Sequence, residues 1–477
     1  MDNKRCNYNR LLSSNRPGAG ILSSSRNIEA FYSDRTRILY CSAFRRLQQK
    51  AQVFSMETNS SVRSRLTHSL EVSDLGRKLA NDIAYRLKNR GWLTDTNIPV
   101  TAAIVENACL LHDIGNPPFG HFGESAIRDW AVRRAPQALP RGLAWEGELT
   151  RWMADFTEFD GNPQGFRTVT KLYTEFDRYG LDLTCATLLC GLKYARTTGV
   201  ENPEGRSIMK KAGFFQSEEA LVAGLLRQVG MEPGRRYPLT YIMEAADDIA
   251  YCMSDIADGI EKRILTEEAF VRTFARKWKE RYPDAPYPRQ ISTLLRDPEQ
   301  MHGFNRDFSI PWSTRASQEA VQTYMDNHEA IFAGTAKSLI TDDKPMGKVL
   351  KIISAVCGEL LYPSIEAENI ELTGYAVISG ILRHYERLLK LEYRDFQRIL
   401  NGQRKGLAVE VRLFNRIGGR CVDAYRYALE EWKDHPDFAA REWWLRVHLI
   451  IDHISAMTDA YALQTYQMLE GIALMRT

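Results

Sequence analysis

Residues 67–87, THSLEVSDLGRKLANDIAYRL, carry the pattern that decides the fold. A leucine or isoleucine recurs there at steps of four or five residues, at Leu70, Leu75, Leu79, Ile83 and Leu87. One face of an α-helix produces this spacing, whereas a half-buried strand alternates every second residue. Similar patterns follow in AAIVENACLLHDIG (102–115), TYIMEAADDIAYCMSDIADGIEKRI (240–264) and WWLRVHLIIDHISAMTDAYALQTY (443–466). The sequence therefore predicts an all-α protein.

The composition is that of a globular chain. The 477 residues are 44% hydrophobic and 26% charged, which excludes a disordered or fibrous protein. The length allows either about three domains or one large helical domain. Lysine and arginine number 63 against 60 acidic residues, a formal net charge of +3. So small an excess does not favour nucleic-acid binding through bulk charge, and any anion site must come from a local arrangement.

Three features favour a cytoplasmic protein. There is no run of about 18 apolar residues, which excludes a membrane-spanning helix. The first residues, MDNKRCNYNRLLSSNRPG, lack the apolar centre of a secretory signal. The eight cysteines are scattered without a Cys-x-x-Cys pair, so we expect reduced and mostly buried thiols.

The helical pattern is interrupted at four places, namely 133–146, 197–206, 231–238 and 281–313. The last of these is the longest and contains several prolines, so it predicts the boundary of a C-terminal region. We expect an N-terminal arm at 1–34 and a catalytic core at 35–280. Residues 281–477 are expected to form a helical region that completes the pocket and supplies oligomer contacts.

Three histidines in the first quarter of the chain lie close to acidic residues. His68 is in RLTHSLEV, His112 and Asp113 are in CLLHDIGNPPFGH, and His121 precedes Glu124 in GHFGES. A single histidine near a helix end is more often a cap or a buried structural group than a ligand. Two imidazoles and a carboxylate from successive helices, however, are the donors that a metal site for phosphate chemistry needs. If HFGESAIRDW is helical, Glu124 lies one turn from His121 and can orient its imidazole.

A further carboxylate comes from EAADDIAY, which contains the adjacent residues Asp247 and Asp248. Only one of two neighbouring helical residues can face a given site, and the spacing alone does not choose between them. Tyr251 follows Asp247 by four residues on the same face, and Asp255 lies another turn along. The apolar surroundings, YIMEAADDIAYCM, make a solvated acidic face the weaker interpretation.

This combination resembles the HD-domain metal phosphohydrolases. More specifically, the chain resembles the bacterial deoxyguanosine triphosphate triphosphohydrolases (dGTPases). The segments that carry the resemblance are RRLQQKAQVF, RSRLTHSLEV, LLHDIGNPPFGHFGE, FDGNPQGFR, LKYAR, MKKAGFF and IMEAADDIAYC. IFAGT, ELTGYAVISG and VRLFNRI extend it through the C-terminal region, so that it covers nearly the whole chain.

The resemblance implies an HD-domain helical core with additional C-terminal helices, and hydrolysis of dGTP to deoxyguanosine and intact triphosphate. The metal ligands that it implies are His68, His112, Asp113 and Asp247. It selects Asp247 over Asp248, and it makes His121 and Glu124 the catalytic pair. Release of the nucleoside breaks the P–O5′ bond, and an alkoxide is a poor leaving group. We therefore expect His121 to act as the general acid, with a base role toward water as the alternative.

The resemblance also suggests residues for the substrate. Lys193 and Lys211 match lysines that contact phosphates, and Tyr251 would stack on deoxyribose and crowd a 2′-hydroxyl. A carboxylate with an arginine would read the guanine edge. The substrate residues expected in all are Gln52, Asn162, Lys193, Lys211, Tyr251, Asp255, Glu371 and Arg404. Weaker candidates are Arg46, Arg65 and Arg412.

The metal, the partners and the alternatives stay open. Two imidazoles and two carboxylates suit Mn, Fe, Co, Ni or Zn, while the resemblance implies Mg or Mn. The competing interpretations are a triphosphohydrolase acting on several dNTPs, and a nucleic-acid-binding regulator with a vestigial site. Only basic pairs such as those at 45–46 and 210–211 support the regulator, and such pairs are usually solvated. We also expect a homo-oligomer, a tetramer or a hexamer, with single-stranded DNA as a further partner and no membrane association.

Overall fold

The chain is almost entirely helical in the computed structural model. The structure describes residues 6–18, 27–173, 178–202, 204–403 and 405–472. Within these ranges no strand forms, and the β-type pairing consists of two isolated bridges, Ala51 with Ser64 and Thr197 with Phe214. The prediction of an all-α protein is confirmed. In the same part of the chain, no helix is both long and apolar enough to cross a membrane.

The described residues form twenty-two α-helices. They are α1 (Asn27–Tyr40), α2 (Ser42–Arg46), α3 (Arg65–Asn89), α4 (Ile98–Leu111), α5 (Gly120–Arg133), α6 (Glu148–Trp152), α7 (Ala154–Thr157), α8 (Gly161–Lys171), α9 (Cys185–Cys190), α10 (Glu219–Gln228), α11 (Thr240–Glu261), α12 (Glu267–Arg281), α13 (Arg289–Arg296), α14 (Ile310–Asp326), α15 (His328–Phe332), α16 (Pro345–Leu360), α17 (Ile365–Leu389), α18 (Tyr393–Leu400), α19 (Ala408–Phe414), α20 (Gly419–Trp432), α21 (Phe438–Ser455) and α22 (Asp459–Leu469). Short 3₁₀ segments and one π-helical turn, Asn305–Ser309, connect them.

The buried apolar side chains form three clusters. The first joins α1, α3, α4, α9 and α10 to the first half of α11. The second joins α5, α17, α20 and α21. The third joins the second half of α11 to α12, α14 and α16. Helix α11 therefore belongs to two clusters, which places its middle, the predicted site segment, between them.

Helices α3 and α4 pack closely against each other. A reciprocal cap starts α3, because the Ser64 side chain accepts from the Thr67 amide and the Thr67 hydroxyl accepts from the Ser64 amide. A Cβ on Gly76 would lie 2.5 Å from the Cys109 sulfur, so only glycine permits this approach. The predicted apolar face of α3 is wrong at its start, because Leu70 is exposed and His68 is buried instead.

The segment 281–313 differs from the irregular stretch that the sequence predicts. It contains α13, the π-helical turn and the first residues of α14. The third cluster takes side chains from both sides of this segment, including Ile249 before it and Ile353 after it. The apolar contacts are therefore continuous across residue 281, and the domain limits stay a prediction. All eight cysteines are thiols, and seven of them are buried, as the sequence suggests.

Candidate metal centre and active site

Three of the four predicted metal ligands converge from three helical elements. His68 lies in the first turn of α3, His112 caps the end of α4, and Asp247 is in the middle of α11. The Nε2 atoms of His68 and His112 are each 3.5 Å from Oδ1 of Asp247. Ligands about 2.0–2.2 Å from one ion are roughly 3–4 Å from each other, so these three groups fit one cation.

The histidines have their nitrogens available for a metal. Both ring nitrogens of His68 are buried without a hydrogen-bond partner in the described structure, which is costly unless a ligand satisfies one of them. The Nδ1–H of His112 donates to the Cys109 carbonyl at 2.7 Å. This bond fixes the tautomer and leaves the Nε2 lone pair toward Asp247. The donor set thus suits a divalent transition-type ion.

The fourth predicted ligand, Asp113, lies beside this cluster. Its Oδ2 is 3.6 Å from His112 Nε2, but the same oxygen accepts from Arg65 at 2.8 Å. The Asn116 amide donates to the other oxygen. Burial raises the pKa of Asp113, but Arg65, His112 and His68 outweigh this and lower it to about 2. Asp113 is therefore an anion at neutral pH, with one oxygen bonded to Arg65 and the other to Asn116.

Asp247 is also held as an anion. Its Oδ2 accepts from Lys193 Nζ at 2.9 Å. Burial raises its pKa, but Lys193, His112 and His68 together hold it well below its usual range. Burial lowers the pKa of His68, whereas Asp247 and Asp113 raise it above its usual value. The two carboxylates thus favour positive charge at the point between the two histidines.

A second pair, His121 and Glu124, stands on the first turn of α5. His121 Nδ1 is 2.9 Å from Glu124 Oε2, and the Gly161 amide donates to the other oxygen at 2.8 Å. Glu124 is only 2% exposed, whereas the His121 side chain is 79% exposed. A fixed carboxylate therefore orients an imidazole whose Nε2 remains free to meet a ligand.

Both groups open into one cavity of about 530 Å³. Its lining includes the predicted metal ligands His112, Asp113 and Asp247, together with His121 and Glu124. A pocket of several hundred Å³ is the size that small-molecule ligands occupy. The remaining predicted residues that line it are Gln52, Asn162, Lys193, Lys211, Tyr251 and Glu371.

Lys211 and Asn162 meet at the start of α8. Asp160 caps this helix by accepting from the Asn162 amide at 3.0 Å. Its other oxygen accepts from Lys211 Nζ at 2.6 Å. Burial lowers the pKa of Lys211, but Asp160 raises it above its usual value. The cavity therefore presents a charged ammonium here, beside the exposed His121.

Tyr251 is held by a chain of hydrogen bonds. Its hydroxyl lies 2.7 Å from that of Tyr362, which donates to Asp255 Oδ2 at 2.7 Å. Tyr251 and Tyr362 line the cavity, whereas Asp255 is fully buried behind them. The predicted substrate residue Asp255 thus lies outside the lining, and it positions the two rings. Burial raises the pKa of Asp255 to about 7.

The arginine candidates do not all lie at this cavity. Arg65 lines it and bridges Asp113 to Gln52, whose Oε1 lies 3.5 Å from its guanidinium. Arg412 is exposed and donates to a backbone carbonyl of its own helix. Arg46 lines a different cavity. Arg404 lies outside the described residues.

Two residues that the sequence does not single out fix the loops of the site. Asp459, at the start of α22, accepts from the Ala51 amide at 3.1 Å and from the Phe119 amide at 3.0 Å. Phe119 has the left-handed φ of +62° just before α5. Lys50 donates to the carbonyls of Asn116 at 2.6 Å and of Ser455 at 2.7 Å. No local spacing could reveal these bonds, because their partners are 66 to 408 residues apart.

The helical arrangement and the His-His-Asp cluster define the class of protein. Residues 65–140 match the family model described as "HD domain", and the chain is thus an HD-domain protein. Three relatives are each named "Deoxyguanosinetriphosphate triphosphohydrolase". The one from Serratia proteamaculans is 37% identical over 93% of this chain and 94% of its own length. Those from Salmonella typhimurium and Klebsiella pneumoniae are 35% and 36% identical over 95% and 93% of this chain, and over 96% and 94% of their own lengths. The chain belongs to this family of hydrolases, as the sequence resemblance predicts.

Proposed function

We propose that this enzyme hydrolyses dGTP to deoxyguanosine and an intact triphosphate. The relatives carry the name of that activity, which supports dGTP as the substrate. The observation that carries the proposal is the single cavity that joins a cation-binding cluster, a histidine–glutamate pair and two lysines. A triphosphate ester needs all three: a positive site at the reacting phosphorus, a proton donor and charge for the outer phosphates.

The proposed metal ligands are His68, His112, Asp113 and Asp247. Their support is the 3.5 Å spacing of both histidines from Asp247 and the unpartnered ring nitrogens of His68. A divalent ion held there supplies Lewis-acid stabilisation of phosphate charge. We propose Mg or Mn as the working ion, whereas the mixed donor set would also bind Fe, Co, Ni or Zn.

His121 is the proposed general acid. Its Nδ1 is engaged by Glu124, so its Nε2 can carry the proton that the leaving O5′ needs. The Gly161 amide keeps Glu124 in place, and the exposed imidazole can reach a bound ester. In the alternative role, the same Nε2 takes a proton from the attacking water.

The other lining residues are proposed to hold the nucleotide. Lys193 and Lys211 would pair with the phosphates, and Asn162 and Gln52 would donate to their oxygens. The Tyr251 ring, fixed through Tyr362 and Asp255, would pack on the deoxyribose and leave no room for a 2′-hydroxyl. Glu371, with Arg404, would read the donor and acceptor edge of guanine.

Product analysis tests the reaction directly. The full-length protein is incubated with dGTP and Mg or Mn, and the products are separated by anion exchange. We expect deoxyguanosine and triphosphate in equal amounts. Pyrophosphate with dGMP, or orthophosphate with dGDP, would contradict the proposal.

Comparison of the four dNTPs tests the base preference. A site built to hydrogen-bond the guanine edge should turn over dGTP at least about tenfold faster than the others, because an unmatched base leaves polar groups unpaired. Equal rates would instead favour a triphosphohydrolase that acts on several dNTPs.

We further infer that the chain assembles as a tetramer or hexamer. Large apolar side chains remain exposed on α17, namely Ile365 and Leu372, and such residues favour contacts between copies. A single monomeric species in sedimentation at micromolar concentration would exclude this assembly.

Binding of single-stranded DNA is a separate proposal that rests on the family resemblance, and its test is a salt titration of a labelled oligonucleotide.

A further inference from the structure

Arg128 lies beside the His121–Glu124 pair but outside the cavity proposed to bind the nucleotide. It stands one turn beyond Glu124 on α5 and lines a neighbouring cavity of about 790 Å³, whose lining also includes His121 and Glu124. Arg128 is not among the residues that line the active-site cavity. An effect of Arg128 on a nucleotide bound there would therefore pass through other side chains.

The guanidinium of Arg128 faces the same carboxylate oxygen that bonds His121. Its Nη1 lies 3.7 Å from Glu124 Oε2, and that oxygen is 2.9 Å from His121 Nδ1. Glu124 is buried, whereas the Arg128 side chain is 34% exposed, so water screens the interaction in part. The positive charge of Arg128 therefore favours the Glu124 anion and opposes a second positive charge on His121.

The same nitrogen of Arg128 holds the segment that carries a phosphate-binding group. Nη1 donates to the Phe159 carbonyl at 2.7 Å. The next residue, Asp160, accepts from Lys211 Nζ at 2.6 Å. Gly161 follows, and its amide is the one that donates to the carboxylate of the pair. Arg128 thus connects the histidine–glutamate pair to the residues beside Lys211.

We propose that Arg128 is a positioning residue for the hydrolysis, which fixes the carboxylate that orients His121 and ties the pair to the segment that holds Lys211. The inference rests on the proposed function, because it takes His121 as the group that transfers a proton. The charge of Arg128 also affects how firmly the pair holds that proton. A guanidinium suits both tasks, since it carries a permanent charge on several donors in a fixed geometry.

Other charged groups lie around the pair and are left unchanged in the test. They are Arg65 of α3, Glu371 of α17, the bonded pair Asp160 and Lys211, and the bonded pair Glu158 and Arg196 of the neighbouring cavity. Because the parent and the variants share these groups, a difference between their pH profiles reports the change at position 128.

The test is the pH profile of kcat for dGTP hydrolysis by the full-length protein with Mg or Mn. In Arg128→Gln, kcat should fall about tenfold, the effect of losing a charged hydrogen bond. Without the positive charge the pair holds its proton more firmly, so its limb of the profile should move to higher pH by about 0.5–1 unit. This is the alkaline limb if His121 is the general acid, and the acidic limb if it is the base.

The matched control is Arg133→Gln, which changes an arginine of the same helix whose side chain is 74% exposed. It should alter neither kcat nor the pH limb. Arg128→Lys keeps the charge but not the fork of donors, so it should restore the parent limb and only part of the rate. This variant also keeps the test valid if Arg128→Gln fails to fold.

A double-mutant cycle with Glu124→Gln separates positioning from a general loss of structure. If Arg128 acts through the carboxylate, the shift of the limb should largely disappear when that carboxylate is gone. An unmoved limb in Arg128→Gln, a shift of equal size in the Glu124→Gln background, or equal losses in Arg133→Gln would overturn the inference. Absence of dGTP turnover by the parent would overturn the proposed function and this inference with it, whereas turnover with an unmoved limb overturns the inference alone.

Discussion

The proposed metal ligands and the His121–Glu124 pair lie at the same cavity but differ in their exposure. His68 is fully buried, and His112 is bonded from behind by a backbone carbonyl. His121 is 79% exposed on its side chain, and only its partner Glu124 is buried. Donors for a cation must be held still, whereas a group that delivers a proton must reach the substrate. Substitutions should therefore separate metal binding from catalysis.

The largest effect on activity is expected from substitution of a proposed metal ligand. Asp247→Asn removes the charge that both histidines face, so metal content should fall to background and dGTP hydrolysis by roughly 10³-fold or more. The matched control is the adjacent Asp248→Asn, which should keep the metal and stay within about tenfold of the parent rate. Metal analysis after dialysis and turnover assays measure both. Equal losses of metal and rate in the two variants would contradict the assignment of Asp247 as the metal ligand.

His121→Ala should leave the metal in place and lower the rate by about 10²–10⁴-fold, the usual contribution of a positioned acid or base. Glu124→Gln should lie between this variant and the parent, because the imidazole keeps its place but loses its anionic partner. Ser125→Ala, beside them on α5, serves as the control. Loss of bound metal in His121→Ala would show that the two groups do not act separately.

Tyr251→Ala should change selectivity more than rate. Removal of the ring makes room for a 2′-hydroxyl, so the preference for dGTP over GTP should fall about tenfold. Tyr362→Phe keeps both rings and removes the hydroxyl that bonds to Tyr251 and to Asp255, so it should have a smaller effect. The ratio of kcat/KM for the two nucleotides is the measurement, and an unchanged ratio in Tyr251→Ala would exclude the steric explanation.

The smallest expected effect is on the pH dependence of stability, through Asp255, which is buried behind the rings of Tyr251 and Tyr362. Burial raises the pKa of Asp255 from the ordinary 3.8 to about 7, so the folded protein keeps a proton that the unfolded chain has lost. Its contribution to stability is complete below pH 4 and is lost as the pH rises through 7. Between pH 5 and pH 8, the Tm of Asp255→Asn should therefore fall by about 2–4 °C less than the Tm of the parent. Identical Tm changes in variant and parent would contradict this.

Local spacing predicts the parts of the site that lie within one helix or turn. His121 and Glu124 are three residues apart, and the structure places them in hydrogen-bond contact. The helical pattern around Asp247 places its side chain inward, among apolar neighbours. The helical period could not show which of Asp247 and Asp248 is the metal ligand, and that choice depended on the family resemblance.

Contacts between distant segments could not be predicted in this way. Tyr362 meets Tyr251 across 111 residues, and Asp459 meets Ala51 across 408. Arg46 illustrates the same limit, because its motif neighbours Gln52 at the active site, yet its side chain lines a different cavity. Helix packing decides which side of a short turn a side chain reaches, and no sequence period encodes that.

The hydrogen bonds made by Ser455 and Asp459 affect the order in which the enzyme folds during its synthesis. A ribosome that has reached residue 450 has already made every proposed metal donor and the whole histidine–glutamate pair. The loops around Ala51 and Phe119 still lack the carboxylate that fixes them, and Lys50 still lacks one of its two carbonyls. These two loops would thus be fixed only after the last helices are released and dock.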